Sequence, residues 1–197
     1  MGPEPGEGGL TPRLFLVAPE PLPPRFADCL KAACEAGDVA SLVAPAGLSK
    51  DHVALAQLLG VAVLLGDARA SATLTADGAQ VAAAARVIAD ARQIVGKNGI
   101  VGAFAGVSRH AAMEAAEAGA DYVALSQNGP TVGGEPLLQW WAEFFEIPCV
   151  AYDPVDAIAL DTLLPQNPDF IRPSDAMWAS PEEAQQVVAK LMQRMTA

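Results

Sequence analysis

Short apolar runs alternate along this chain with stretches in which apolar residues recur at helical spacing. The clearest example begins with the apolar run Ile100–Phe104, continues through an alanine-rich stretch and ends in a second apolar run at Ser126. Ser108 is a favourable N-cap for the middle stretch and Gly119 is a favourable terminator, so the pattern predicts strand, helix and strand. Strands joined in this way form a parallel pair with a right-handed crossover.

The same alternation recurs over the whole chain and predicts about eight strands and about eight helices. That number, without a break between domains, favours an α/β fold with a single closed (β/α)8 TIM barrel. An open doubly wound sheet is the alternative, although no G-x-G-x-x-G follows the first strand. The predicted strands are Leu14–Ala18, Val39–Ala44, Val61–Leu65, Asp77–Val81, Ile100–Phe104, Asp121–Ser126, Ile147–Tyr152 and Asp169–Arg172.

Two further predictions concern the ends of this pattern. Residues 1–11 are rich in glycine and proline, so we expect a disordered N-terminal arm there and a barrel domain over residues 12–197. Apolar side chains at Val155, Ile158 and Leu163 have helical spacing, which predicts a helix between the last two strands.

Composition and charge narrow the classes of function. The 197 residues are 52% hydrophobic and 18% charged, which is typical of strands that are covered on both faces. A net charge of -11 argues against nucleic acid as a partner, because phosphate contacts need a basic surface. No apolar run approaches ~20 residues, so we expect no membrane span. Three cysteines suggest no disulfide framework and favour a cytoplasmic protein.

In a barrel of this kind, the residues that contact a ligand follow the carboxyl ends of the strands. Asp67 follows the third strand, where a carboxylate suits a divalent metal ion, although Asp is an equally good N-cap for the next helix. Arg69 lies two residues further on, and Phe104 ends the fifth strand. Both are candidate substrate contacts.

The loops after the later strands add further candidates. Ser126 precedes a glycine-rich loop in which Thr131 and backbone N–H groups could cradle an anion, and a plain turn is the equal alternative. Arg172 and Ser174 follow the eighth strand, a position at which barrels often bind phosphate. The carboxylates of Asp153 and Asp175, which follow the seventh and eighth strands, would oppose such an anion.

Val101-Gly102 is followed by Ser108-Arg109-His110 and then by Gly119-Ala120-Asp121-Tyr122-Val123. Placed in barrel register, these segments resemble the thiamine phosphate synthase/TenI family. The family pattern "VG-small-S/T…EA…A-GADYV" is similar to residues 101–123, and "LLLND" is similar to Leu64-Leu65-Gly66-Asp67. Trp140-Trp141 and Ile147–Ala151 resemble a proteobacterial branch that carries "WW…VPCVA". The resemblance covers most of residues 12–195, and the ordered set of segments is more specific than the Gly-Ala-Asp-Tyr piece alone.

This resemblance implies a barrel that couples hydroxymethylpyrimidine diphosphate with thiazole phosphate, giving thiamine phosphate and pyrophosphate. It implies Mg²⁺ at the leaving diphosphate, with Asp67 as the metal ligand that survives. The expected partner is a thiazole, pyrimidine or thiamine-like small molecule. Whether the chain forms a homodimer is left open by the sequence. The expected substrate contacts are Arg69, Phe104, Ser126, Thr131, Arg172 and Ser174.

The chain departs from the family at several positions of this site. Gly66-Asp67 stands where the family has Asn-Asp, residues 81–85 lack the expected carboxylate, and residues 130–134 lack the expected lysine. Asp153 and Asp175 stand near the family's glycine-rich phosphate contacts. These departures predict that the family reaction is weakened or lost, and they leave open whether the chain is an enzyme.

Two alternatives to a synthase follow from the same departures. One is a non-catalytic ligand-binding or regulatory paralogue in thiamine metabolism. The other is an interaction protein that uses its acidic surface and an exposed tryptophan. Trp140 and Trp141 are adjacent, so at most one of them faces the core of a helical bundle or barrel.

Overall fold

A computed structural model of the chain describes residues 11–44, 47–128 and 134–196. Its strands form a closed barrel in which each strand pairs in parallel with the next, and β8 pairs with β1. The predicted single (β/α)8 TIM barrel is therefore confirmed. Apart from Thr11, the expected N-terminal arm lies outside the described residues. The strands are β1 (Arg13–Val17), β2 (Val39–Ala44), β3 (Ala62–Leu65), β4 (Gly78–Ala82), β5 (Ile100–Gly106), β6 (Tyr122–Leu125), β7 (Cys149–Val155) and β8 (Phe170–Pro173).

The helices pack around the outside of this barrel. Short 3-10 helices, Leu164–Gln166 and Asp175–Trp178, lie on either side of β8. Within the described ranges, no helix is both long enough and apolar enough to cross a membrane. The α-helices are α1 (Phe26–Ala36), α2 (Lys50–Leu58), α3 (Ala68–Leu74), α4 (Ala85–Val95), α5 (Arg109–Glu117), α6 (Leu137–Phe144), α7 (Leu160–Leu163) and α8 (Pro181–Met195).

The helix ends follow the local chemistry of the sequence. Ser108 caps α5, because its hydroxyl accepts a hydrogen bond from the Ala111 N–H at 3.1 Å. Gly119 has a φ of +90°, a conformation that favours glycine, and ends the same helix. Both predictions are confirmed.

Alternating residues of the strands build two separate cores. One set faces outward, where Leu14, Leu42 and Val63 are fully buried beneath the helices. The other set faces into the barrel and includes Phe15 and Val43. Ala112 and Ala115 of α5 are fully buried in the outward-facing core.

A repeated aspartate anchors the amino-terminal end of the barrel. An Asp precedes each of the even-numbered strands β4, β6 and β8, and its carboxylate accepts a hydrogen bond from a backbone N–H at the start of the preceding strand. The pairs are Val63 with Asp77 at 2.8 Å, Val101 with Asp121 at 2.7 Å and Cys149 with Asp169 at 2.8 Å. Each carboxylate therefore ties two neighbouring strands together.

Asp38, which precedes β2, completes this set with a different partner. Its carboxylate accepts two hydrogen bonds from the Arg13 guanidinium of β1, each 2.8 Å long. These bonds hold the pKa of Asp38 below its ordinary value. The neighbouring strands β1 and β2 are thus tied by an ion pair, whereas the other three pairs of strands are tied through a backbone N–H donor.

The predicted helix between β7 and β8 is largely wrong. Val155 belongs to β7, and Ile158 is 81% exposed. The carboxylate of Asp156 accepts hydrogen bonds from the N–H groups of Ile158 and Ala159 at 2.9 and 3.1 Å, so this segment forms a turn. Only Leu160–Leu163 is α-helical.

Candidate functional site

A pocket of about 320 Å³ opens at the carboxyl ends of the strands. This volume is near the lower end of the range for small-molecule sites, roughly 300–1,000 Å³. None of the described side chains that line it is of a charged residue type. They belong to Val17, Val43, Gln80, Val81, Ala82, Phe104 and Tyr152, and Gly66 completes the lining.

A hydrogen-bonded layer inside the barrel forms the floor of this pocket. The Tyr122 hydroxyl donates to the Gln80 Oε1 at 2.8 Å, and the Gln80 Nε2 donates to the Tyr152 hydroxyl at 3.0 Å. Burial raises the pKa of Tyr122 well above its ordinary value, so its hydroxyl stays protonated. Gly102 makes room for this layer, because a Cβ there would lie 2.0 Å from the Tyr122 ring.

Two aromatic rings form one wall. The centroids of Phe104 and Tyr152 are 4.9 Å apart, and Phe104 is 43% exposed at the rim. The Arg172 guanidinium lies 5.3 Å from the centroid of the Tyr152 ring. This wall can therefore stack against a planar ring.

Arg172 is already neutralised by its own loop. Its Nη2 donates to both carboxylate oxygens of Asp175, at 2.8 and 3.0 Å, and its Nη1 donates to the Tyr152 carbonyl at 3.3 Å. Its Nε is buried and has no hydrogen-bond partner within the described residues. Ser174, the neighbouring candidate, caps the following 3-10 helix through a 3.4 Å bond from the Ala176 N–H. Most of the donors at this loop are thus used internally.

Asp153 organises the loop that follows β6. Its Oδ2 accepts from the Ser126 hydroxyl at 2.7 Å, from the Gln127 N–H at 2.8 Å and from two groups of Asn128 at 3.1 and 2.8 Å. Ser126 is therefore directed at Asp153. Thr131, the other candidate of this loop, lies outside the described residues.

Asp67 and Arg69 lie in a separate groove of about 250 Å³ beside α3 and α4. The Asp67 carboxylate caps α3, because its Oδ1 accepts from the Ala70 N–H at 2.7 Å. Arg69 is exposed on the same helix. Gly66, Val81 and Ala82 border both the groove and the pocket, so the two spaces adjoin.

The donor set around Asp67 fits a Mg²⁺ ion poorly. Asp90 of α4 is the other carboxylate among the described residues that line the groove; its side chain is exposed and pairs with Arg86 at 4.0 Å. Over the described part of the chain, no group of three His, Cys, Asp or Glu residues could hold a metal ion. Hard cations of this kind bind through several oxygens, so two exposed carboxylates, one of which caps a helix, make a poor site.

The structure therefore gathers the candidate residues only in part. Phe104 lines the pocket, and Arg172 reaches its wall through Tyr152. The sequence reasoning missed Gln80, which is 9% exposed and hydrogen-bonded to both tyrosines of the floor. The signal for it was a lone amide within an otherwise apolar strand.

The fold and this pocket define a (β/α)8-barrel protein with a pocket at the carboxyl ends of its strands. The sequence model of the TMP-TENI family, described as thiamine monophosphate synthase, matches residues 25–167. The chain belongs to this family.

Individual relatives agree with this assignment. A thiamine-phosphate synthase from Rhodospirillum centenum is 34% identical over 190 residues, covering 86% of this chain and 90% of that protein. One from Hyphomonas neptunium is 33% identical over 189 residues, covering 84% and 86%. The thiamine phosphate pyrophosphorylase from Pyrococcus furiosus superposes with a TM-score of 0.77 at 20% identity, over 94% of this chain and 96% of that one. This last likeness bears on the fold alone.

Proposed function

We propose that the barrel mouth binds the uncharged ring of a thiazole, pyrimidine or thiamine-like molecule, and that the family's coupling reaction is weakened or lost. The observation that carries this proposal is the pocket of about 320 Å³, whose lining residues are all uncharged. A phosphorylated ligand needs cationic groups that face it, whereas a neutral heterocycle needs apolar walls and a few polar atoms.

The polar atoms of the pocket suit a heterocycle. Gln80 uses one of its two amide protons on Tyr152, which leaves the second for a ring nitrogen. The Tyr152 hydroxyl accepts that bond and keeps its own proton to donate. Together with the Phe104 ring, these groups offer one stacking face and two hydrogen-bond donors.

The coupling reaction makes heavier demands on charge. Its leaving diphosphate has to be neutralised as the bond to the pyrimidine breaks, and such catalysis is mainly electrostatic. Arg172 is held by Asp175, and Asp67 caps α3. Each charge-assisted hydrogen bond that is missing costs about 1.5–3 kcal/mol, and about 1.4 kcal/mol is a factor of ten in rate. Mg²⁺ would find only the exposed carboxylates of Asp67 and Asp90 among the described residues of the groove, so we expect the ion to bind weakly.

A slow synthase is the second candidate, and Arg172 favours it. The Nε of this residue is buried and has no partner among the described residues, so it retains one donor for a phosphate oxygen. Arg69 adds a second cation in the adjoining groove. Under this alternative, the two arginines together replace the cationic contacts that the family places elsewhere.

Calorimetric titration separates binding from catalysis. The titrants are the thiazole alcohol, hydroxymethylpyrimidine and thiamine, each beside its phosphate. We expect the unphosphorylated compound of at least one pair to bind as tightly as its phosphate or more tightly. Phe104→Ala should weaken that binding about tenfold, while Phe144→Ala, which truncates a 64% exposed ring on α6, should leave it unchanged. Binding of none of the six compounds, or a tenfold preference for every phosphate, would overturn the proposal.

A further inference from the structure

A second cavity lies at the opposite, amino-terminal end of the barrel interior. It has a volume of about 220 Å³, and the side chains that border it include Phe15, Ser41, Ala62, Leu64, Tyr122 and Phe170. The hydrogen bonds from Tyr122 through Gln80 to Tyr152 separate it from the mouth pocket. Because barrel interiors are normally filled by bulky side chains, space at this end needs an explanation.

The space results from two small residues in adjacent strands. Ser41 of β2 and Ala62 of β3 are register partners, so their side chains lie next to each other. Ser41 shares its face of β2 with Val43, which points into the barrel. The small residue Gly102 leaves no comparable space, because the Tyr122 ring occupies it. The cavity therefore persists beside β2 and β3.

The Ser41 hydroxyl is the polar group that this cavity leaves unsatisfied. Ser41 is 8% exposed, and its Oγ is buried without a hydrogen-bond partner in the described part of the chain. Buried polar groups are nearly always paired, and an unpaired one destabilises the fold. A bound molecule that carries a hydrogen-bonding group would remove this defect.

The surroundings restrict what that molecule can be. The centroid of the Phe15 ring lies 5.5 Å from that of Tyr122 and 6.4 Å from that of Phe170, and these aromatic walls favour a flat ring. Arg13 also borders the cavity, but Asp38 holds its guanidinium. Since further aspartates surround this end of the barrel and the net charge is -11, an anion is disfavoured.

We propose that this cavity is a second ligand site, which binds a neutral single aromatic ring carrying one hydroxyl or carbonyl substituent bonded to Ser41. The volume suits one ring, since an engineered apolar cavity of about 150 Å³ accepts benzene. The site is independent of the mouth pocket, and it stands whether or not the mouth retains catalysis.

Fluorine NMR on the full chain tests this site with 4-fluorophenol as the probe and 4-fluorotoluene as its apolar counterpart. We expect saturable binding of 4-fluorophenol that Ser41→Ala weakens about fivefold, the effect of one hydrogen bond. The same variant should leave 4-fluorotoluene binding unchanged or slightly tighter. Ala62→Val, which narrows the cavity, should weaken both probes. An equal loss of both probes in Ser41→Ala, or no saturable binding at all, would overturn the proposal.

A second measurement locates the ligand without relying on a variant that folds poorly. Crystals of the protein soaked in 4-bromophenol should show anomalous bromine density between β2 and β3, with the phenol oxygen near the Ser41 Oγ. Bromine density confined to the mouth pocket, or water alone in the cavity, would overturn the proposal.

Discussion

The two ends of this barrel use carboxylates in different ways. At the amino-terminal end, Asp77, Asp121 and Asp169 occupy equivalent positions, and each accepts a backbone N–H from the neighbouring strand. At the mouth, Asp153 and Asp175 occupy unrelated positions in their loops and bind different partners. The first set is a repeated part of the fold, and the second set is particular to each loop.

The carboxylates at the mouth have a structural role in their own loops and helices. Asp67 is engaged by a helix N-terminus, Asp153 by the loop after β6, and Asp175 by Arg172. Each charge is therefore satisfied by the chain itself. The amino-terminal set holds the barrel together, whereas the mouth set shapes the loops and leaves an uncharged pocket between them.

The largest effect should come from breaking one strand tie. In Asp121→Ala, the buried Val101 N–H and the Arg92 guanidinium lose their acceptor, so the free energy of unfolding should fall by about 2–3 kcal/mol. Urea denaturation measures this. Asp161→Ala, which removes an exposed ion pair with Arg194, is the control and should cost less than about 0.5 kcal/mol. Equal losses in the two variants would remove the special role of the amino-terminal set.

The second-largest effect should be on the affinity of the barrel mouth for phosphate. Asp175→Asn should release the Arg172 guanidinium from its partner, so that inorganic phosphate binds about tenfold more tightly. Calorimetry with phosphate measures this, and Asp161→Asn, which frees Arg194 away from the mouth, should change nothing. If both variants gain affinity equally, the effect is one of net charge and not of Arg172.

Removing the cap at Asp67 should have a smaller effect. Asp67→Ala loses the bond from the Ala70 N–H and should cost about 1 kcal/mol of unfolding free energy in urea, whereas Asp67→Ser should retain most of it. Ligand affinity should show the same response to added Mg²⁺ in all three proteins. A Mg²⁺ effect that disappears in both variants would assign Asp67 to the metal instead.

The smallest effect should be a loss of stability at high pH through Cys149, at the amino-terminal end of the barrel. Burial raises the pKa of Cys149 to about 12 from an ordinary 9.0. The unfolded chain therefore loses this proton first, and the stability that the buried thiol contributes is present below pH 9 and is lost as the pH rises towards 12. The loss should stay below about 1 kcal/mol at pH 9.5. Urea midpoints from pH 8 to 9.5 measure this loss, and Cys149→Ala should lose less stability over the same range. An equal loss in the variant would contradict the assignment to Cys149.

Much of the barrel could be predicted because its strands are buried on both faces. Val39–Ala44 was predicted with the bounds that the structure has. Trp141 is fully buried while Trp140 is half-buried against Arg109, as their adjacency requires. The prediction of a helix that includes Val155 was wrong, because the helical spacing of the apolar residues there is coincidental. The Asp156 carboxylate instead accepts the Ile158 N–H and stabilises a turn.

The site was harder to predict, because its residues meet only through the closure of the barrel. Gln80 and Tyr152 lie 72 positions apart, so nothing local indicates their hydrogen bond. Asp153 was expected to oppose an anion, yet its carboxylate turns towards the β6 loop. Such partners depend on how two loops fold against each other, and the pattern of either loop alone does not contain that information.

Whether the coupling reaction is weakened is decided by the rate of pyrophosphate release from hydroxymethylpyrimidine diphosphate and thiazole phosphate, with Mg²⁺ at saturation. Measured beside a thiamine-phosphate synthase of the family, this protein should have a kcat/KM lower by about 10³-fold or more, since two missing charge-assisted contacts are worth about 3–6 kcal/mol. A kcat/KM within tenfold of that enzyme would contradict the proposal that the coupling reaction is weakened or lost.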